Sequence, residues 1–360
     1  YGTLVESARA LIENRRASKR NLFSRIGRWL ALDLLFSNLG WVRLAATLLR
    51  IYQRSGLQRL MRATGVLRLL HLSETEAFAP AIPSRYFVPR DQRYEAAAAR
   101  FTVMLHVGCV MHVAFTPVHE ATVRVLKHNC CTVVVPATQG CCGAIAVHAG
   151  EPRLTEELAK KNIAAFEQSG ADYYIVNAAG CGSTLKEYGE LLSGDPRWSE
   201  RAAAFSSRVR DVLEFLDEIG IDSRLGALDV TVTYQEPCHL AHAQRIAAAP
   251  RRLMSKIPAL RIIEMAESSV CCGSAGIYNL TEPEMSRRLR DRKIANIVNT
   301  QAGIVATGNP GCAMQVAAGL SAAAYSAPVK HVVELLDASY SNYSLATKRS
   351  RSSSAALTEA

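Results

Sequence analysis

Several familiar features are missing from this chain of 360 residues, and each absence removes a class of function. No run of 18 or more apolar residues occurs. The most apolar region, Trp29–Leu49, is broken by Asp33 and Arg43, so a membrane-spanning helix is not expected. No signal-peptide pattern is visible, in a sequence that begins at Tyr1 without an initiator methionine. No Gly-rich phosphate loop, Ser-His-Asp set or H-E-x-x-H motif appears, and the glycines of "GCGSTLKEYG" are not spaced as in a dinucleotide fingerprint. No C-x₂₋₄-C knuckle exists among ten cysteines, which weighs against structural zinc. Nor is this a small stapled scaffold. At 49% hydrophobic, the chain has the length and composition for two domains with real cores and does not need disulfides to fold.

Acidic residues are scarce in one place only. Residues 1–70 hold thirteen Lys/Arg and three acids (Glu6, Glu13, Asp33), and the remainder holds twenty-nine of each sign. The whole net charge of +10 therefore sits in the first 70 residues. These also carry apolar residues at helical spacing, such as Ile26, Leu30, Leu34 and Leu44, Leu48, Ile51. Two readings stand open. One is a docking layer for an anionic membrane surface or an acidic partner, and the other is a solvated basic face over a core. No nucleic-acid motif accompanies the charge, so a nucleic-acid partner is not expected.

What is present is a repeated order. The basic helical region, 1–78, runs into the loop "SETEAFAPAIPSRYFVPRDQ", whose prolines mark a boundary. A first α/β unit, 98–198, follows. Strand "RFTVMLHVGC" ends at Cys109, strand "TVVVPA" precedes Cys141 and Cys142, and strand "DYYIVNAAGC" ends at Cys181, with helices between them. A helical connector is expected over 199–228. A second unit, 229–338, repeats the order with "DVTVTYQEPC" at Cys238, "LRIIEM" before Cys271 and Cys272, and "GIVATGNPGC" at Cys312. A serine-rich tail, 339–360, reads as disordered. The cysteine offsets between the units are 129, 130, 130 and 131, so eight of the ten cysteines keep one register.

Alternating strands and helices predict two pseudo-symmetric βαβ repeats with small parallel sheets, preceded by an all-helical layer. In such sheets ligands bind beyond the carboxyl ends of the strands. Cys109, Cys141, Cys142 and Cys181 should therefore converge, and so should Cys238, Cys271, Cys272 and Cys312. Adjacent thiols converge poorly on one small ion, but can reach different irons of a cluster, and four thiolates suit a [4Fe–4S] site. The glycines of "GCCGA" and "CCGSAG" would let backbone N–H groups approach the sulfur. Cys130 and Cys131 have no partners at the repeat offset, which lands on Leu260 and Arg261, and they read as packing residues. His239 and His242, in "EPCHLAHAQ", read as structural, as hydrogen-bond donors near a cluster, or as a ligand or proton relay.

The duplicated Cys–x₃₁₋₃₉–Cys-Cys-Gly–x₃₁₋₃₉–Cys pattern resembles the cysteine-rich CCG domain. That domain is found in heterodisulfide reductase B subunits, lactate-utilisation iron–sulfur proteins and glycolate oxidase iron–sulfur subunits. "GCCGA", "NAAGCGSTLKEYG", "EPCHLAHAQ", "CCGSAGIYNL", "LRDRKIANI" and "GNPGC" look closest to the last of these. The resemblance implies an iron–sulfur electron-transfer subunit with no catalytic residue of its own. It would take electrons from flavoprotein subunits carrying FAD that oxidise glycolate or a related 2-hydroxy acid. It would pass them to a membrane acceptor, in the cytoplasm or peripherally at the inner membrane. Two departures stand out. Thr184 and Gln315 occupy the places of the fifth thiols of the heterodisulfide reductase type. The family's N-terminal ferredoxin-like module is absent, so the chain is expected to be a fragment or to use a module on another chain.

Overall fold

The computed structural model describes residues 2–17, 22–70 and 72–343. Two parallel sheets organise it. The first contains β1 (Gln92–Tyr94), β2 (Phe101–Leu105), β3 (Cys131–Val135), β4 (Tyr173–Val176) and β5 (Val209–Asp211), in the order β1-β3-β2-β4-β5. The second contains β6 (Val230–Tyr234), β7 (Leu260–Ile262), β8 (Ile304–Ala306) and β9 (Val329–Lys330), in the order β7-β6-β8-β9. Apart from β1, which lies antiparallel on β3, all pairs are parallel. Strand β3 is buried at every position, as its unbroken β-branched run "TVVV" requires in a sheet covered on both faces.

The repeat read from the cysteines is a repeat of topology. β2 pairs with β3 and β4 as β6 pairs with β7 and β8. In each unit the chain starts in the middle of the sheet, steps one way, then crosses to the other side. That crossing creates a switch point at the carboxyl ends of the strands. One hydrophobic core runs through both units, joining Val103, Leu105 and Ile175 to Val232, Tyr234 and Leu336. Beyond the strand ends the units touch directly: Ala179 N–H donates to the Gly308 carbonyl (3.0 Å) and Gly180 N–H to Asn309 Oδ1 (3.0 Å).

Three segments depart from the sequence expectation. The helical connector at 199–228 holds helices Ser199–Arg208 and Val212–Ile219 with β5 between them, so it completes the first sheet. Ser73–Phe78, expected as loop, is a short helix. The tail expected from Ser339 does not begin there, because a helix over 332–343 buries Ser339 and Tyr340 against the first unit. There Asn129 Nδ2 donates to the Tyr340 hydroxyl (3.2 Å), and Arg124 pairs with Asp337 (2.8 Å). The remainder of that expected tail, 344–360, lies outside the described residues, as do Lys19 and Arg20 of the basic layer.

The N-terminal layer is helical as expected, but its apolar stripes face outward. Ile26, Leu30, Leu44, Leu48 and Ile51 are exposed, while Leu32, Leu39, Val42 and Ala46 face the core. Among the described residues, fourteen of the sixteen exposed large hydrophobic side chains lie in residues 11–72. No single described helix is long and apolar enough to cross a membrane. The segments Arg25–Ser37 and Leu39–Arg54 reach that composition only together, and they meet at 109°.

Candidate metal centre

Each sequence-predicted cysteine lies beyond the carboxyl end of its strand. Cys109 follows β2 in a turn that Gly108 enters at φ +62°. Cys141 and Cys142 follow β3, and Cys181 sits in the first turn of helix Ala179–Lys186. In the second unit, Cys238 follows β6, Cys271 and Cys272 follow β7, and Cys312 sits in the first turn of helix Pro310–Ala322. The thiols form two chains of contacts, Cys109–Cys141–Cys142–Cys181 and Cys238–Cys271–Cys272–Cys312. All ten cysteines are free thiols.

Both tetrads line one cavity of about 380 Å³ between the units. Leu32, Leu35, Phe36 and Phe78 of the N-terminal layer roof it, and His148 and His239 complete the wall, their ring centroids 5.5 Å apart. His239 Nδ1 lies 3.5 Å from Cys238 Sγ, within reach of the site. His242 points away to the Ser269 carbonyl (3.1 Å) and is exposed, so of the two histidines only His239 is brought to the thiols. Cys130 and Cys131 lie at the opposite end of the first sheet, where Cys131 pairs with Phe101 as Leu260 pairs with Val230.

The thiol contacts pull alternate members in opposite directions. Hydrogen bonding to Cys141 raises Cys109 and Cys142, and it lowers Cys141 in turn. The contact with Cys142 lowers Cys181 to about 6, with His106 adding to the effect. In the second tetrad, hydrogen bonding to Cys271 raises Cys238 and Cys272, and Cys271 and Cys312 are lowered. The raised members must release protons for a metal to take all four sulfurs.

The glycine of each cysteine pair is required by geometry. Gly143 and Gly273 both adopt the left-handed region, at φ +84° and +87°. This turns their N–H groups back onto sulfur, Gly143 to Cys141 Sγ (3.5 Å) and Gly273 to Cys271 Sγ (3.4 Å). A Cβ on Gly143 would lie 2.6 Å from Thr155 Cγ2, and one on Gly273 would meet the Ser286 carbonyl oxygen. Thr155 Oγ1 and Ser286 Oγ donate to the Gly143 and Gly273 carbonyls (3.2 and 2.8 Å), each closing its turn against the next helix.

Several residues that pattern reading did not single out belong to the site. His106 is buried beneath the first tetrad. Its Nδ1 is 2.7 Å from the Tyr174 hydroxyl, and its Nε2 has no oxygen or nitrogen partner. His106, Cys142 and Cys181 hold ligand atoms within 4.8 Å of one another. A single ion on those three would leave Cys109 and Cys141 unused, whereas a multi-iron cluster takes all four thiols and leaves His106 to donate to sulfur. Asn162 Nδ2 donates to the Cys141 carbonyl (2.9 Å), and Tyr188 Oη donates to the Cys142 carbonyl (2.7 Å). In the second unit Asn309 Nδ2 donates to Cys312 Sγ (3.5 Å). The one signal in the sequence was register: Thr155 and Ser286 are 131 positions apart, like the last cysteines. Thr184 and Gln315 are buried and bonded to the Gly180 carbonyl (3.4 Å) and Ser286 Oγ (3.0 Å), and they bring no sulfur. Adjacent thiolates, N–H groups on sulfur and an apolar enclosure fit an iron–sulfur cluster in each unit.

Two parallel-sheet repeats that each offer a Cys…Cys-Cys-Gly…Cys set define a duplicated cysteine-rich domain. Residues 103–186 and 232–317 both match the family described as "Cysteine-rich domain", CCG, and residues 23–79 match "Glycolate oxidase iron-sulfur subunit, linker region". The chain is 40% identical over 344 residues to the probable glycolate oxidase iron-sulfur subunit of Bacillus subtilis, covering 93% of this chain and 77% of that protein. It belongs to the family of glycolate oxidase iron–sulfur subunits. It is also 29% identical to lactate utilization protein A of an Exiguobacterium species, over 65% of this chain and 96% of that protein. The glycolate oxidase iron-sulfur subunit of Escherichia coli is likewise 29% identical, over 65% of this chain and 57% of that protein.

Proposed function

We propose that the chain is the electron-transfer subunit of a flavin-dependent dehydrogenase complex acting on glycolate or a close 2-hydroxy acid. FAD resides on flavoprotein partners, a ferredoxin-like module works with this chain, and the electrons pass to a membrane acceptor. The observation that carries this reading is the convergence of eight register-matched cysteines on one apolar cavity. Iron–sulfur clusters, of the [4Fe–4S] type, supply one-electron storage and transfer when bound. The chain's own residues do the rest. Cys109, Cys141, Cys142 and Cys181 hold one cluster, and Cys238, Cys271, Cys272 and Cys312 the other. Gly143 and Gly273 aim N–H groups at sulfur, His106 and Asn309 donate at the edges, and Leu32, Leu35 and Phe36 keep water out. The outward stripe Leu44, Leu48 and Ile51, set among basic residues, is the docking face, toward the flavoprotein or the anionic inner leaflet. On this reading the subunit works in the cytoplasm, peripheral to the membrane.

Anaerobic purification with iron and acid-labile sulfide analysis tests the cofactor, and zinc without sulfide would refute it. Anaerobic mixing with the flavoprotein subunits and glycolate should then bleach the cluster absorbance. Bleaching by lactate and not glycolate moves the substrate to the lactate-utilisation class. Reduction of a disulfide by this chain alone would replace electron transfer with reductase chemistry.

A further inference from the structure

The two tetrads match in register, but the residues behind them differ. Helices Pro152–Ser169 and Pro283–Asn299 both begin with proline, 131 positions apart, and each packs under its cysteine pair. In the first helix Asn162 faces that turn, accepting from Gly140 N–H (2.9 Å) and donating to the Cys141 carbonyl (2.9 Å). The same position in the second helix is Lys293. Its side chain is buried, 1% exposed, and its Nζ donates to the carbonyls of Glu267 (2.5 Å) and Ser268 (3.0 Å), just before the cysteine pair. The Glu267 carboxylate is bonded to Arg292 and Asn296. Burial disfavours the ammonium, and the Cys272, Cys312 and Cys271 thiolates act to restore it. A buried charge is retained only where something nearby compensates it. Here the two carbonyls hold the ammonium, and the sulfurs of the second tetrad, with the Glu267 carboxylate after them, supply the opposing charge.

We infer that Lys293 makes the second tetrad the higher-potential of the two electron sites, so that electrons entering at the first tetrad settle at the second. The inference rests on the iron–sulfur reading above. Each reduction adds one negative charge to a site in a low-dielectric interior, and a fixed cation beside it stabilises the reduced form. One electron leaves the first site and one arrives at the second. No bond is made or broken, and the flavoprotein partner is the reductant.

The test is a potentiometric titration of the anaerobically reconstituted full chain, followed by electron paramagnetic resonance, with dithionite as reductant. The parent should reduce in two steps. Lys293→Asn, which installs the first unit's residue, should shift the higher step downward by at least tenfold in equilibrium constant, about 59 mV for one electron, and leave the lower step in place. Lys293→Arg, which keeps the charge, should retain the parent order. Full iron and sulfide with both steps unmoved in Lys293→Asn overturns the inference and leaves the cluster reading intact; a parent without sulfide overturns the cluster reading itself. Should Lys293→Asn fail to load its second site, Cys312→Ala decides. It should abolish the higher step and keep the lower, and the reverse overturns the assignment.

Discussion

The first unit supports its cysteine turn with the uncharged groups Asn162, Tyr188 and Thr155, and the His106–Tyr174 pair lies beneath its tetrad. The second supports the matching turn with Ser286, Gln315 and the Lys293 ammonium. Tyr188 itself corresponds to Gly319, where a Cβ would strike Ile294. Duplication therefore kept the ligands, the glycine and the hydroxyl that closes the turn, and let everything one layer further out diverge. Thiol placement is fixed by strand ends and left-handed glycines, so it tolerates little change. The outer groups set charge and hydrogen bonding, and two copies can differ there without losing the site.

The strongest way to break this comparison is to remove a ligand from each copy. Cys141→Ser and Cys271→Ser should each cost about half of the bound iron, because one four-thiol site is lost and the other stands. Cys130→Ser should cost none, since that residue lies at the far end of the first sheet. Iron and sulfide content after anaerobic reconstitution measures all three. Loss in Cys130→Ser equal to that in Cys141→Ser would dissolve the distinction between register-matched and unmatched cysteines.

That distinction was legible in sequence because cysteine is rare and its offset nearly constant. The same constancy hid the closing strands. "VRDVLEFLD", at 209–217, and "VKHVVELLD", at 329–337, form equivalent strand–helix corners, but they are 120 positions apart, outside the register of about 130. The first was read as helical connector for that reason. Lys293 was hidden differently. "PEMSRRLRDRKIANIVN" has so many charges that a solvated face is the natural reading, and only the burial seen in the structure marks one lysine as interior. The outward apolar stripes were visible as periodicity, but periodicity does not say which face is covered.

The two closing corners differ in a way that pH can resolve. Asp211 and His331 are equivalent helix caps. Asp211 Oδ1 accepts from Leu213 N–H (2.9 Å), and His331 Nδ1 accepts from Val333 N–H (3.0 Å). Glu214 and Glu334 reach back to the two cap N–H groups (3.0 and 2.8 Å). Burial, with Glu214 adding to it and Lys186 opposing, raises Asp211 from 3.8 to about 7. A raised carboxyl favours the folded state at low pH, and that stability is lost as pH rises from about 4 to about 7. Burial lowers His331 from 6.5 to about 4, so its contribution is lost as pH falls through that window. The two slopes oppose each other, on top of the acid-side loss that the buried His112 and His119, lowered to about 4 and about 3, also bring. Asp211→Asn should steepen the loss on the acid side, and His331→Asn should lessen it, each by up to about 1.4 kcal/mol per unit of pH. Melting temperatures over about pH 5–7, mild enough to spare acid-labile sulfide, give the slopes. Profiles unchanged from the parent in both variants would show that neither group titrates across the window.

The finest contrast lies in the glycines that close the two cysteine turns. Alanine at either position takes a left-handed backbone that costs on the order of 1–3 kcal/mol. Beyond that, the obstacles differ in kind. The new methyl at position 143 meets the Thr155 side-chain methyl, which can rotate or be removed; at position 273 it meets a backbone carbonyl at the start of the next helix, which cannot. Gly273→Ala should therefore destabilise more than Gly143→Ala. The double-mutant cycles should separate as well. Thr155→Ser should recover part of the Gly143→Ala loss, since it deletes the clashing methyl and keeps the hydroxyl that bonds the Gly143 carbonyl. Ser286→Ala should recover none of the Gly273→Ala loss, because the clashing oxygen remains and the hydroxyl bond to the Gly273 carbonyl is gone. Denaturant unfolding of the four variants and the two doubles measures the coupling. Equal recovery in both units would mean that the second turn can move its helix, and that the repeats differ less in rigidity than in charge.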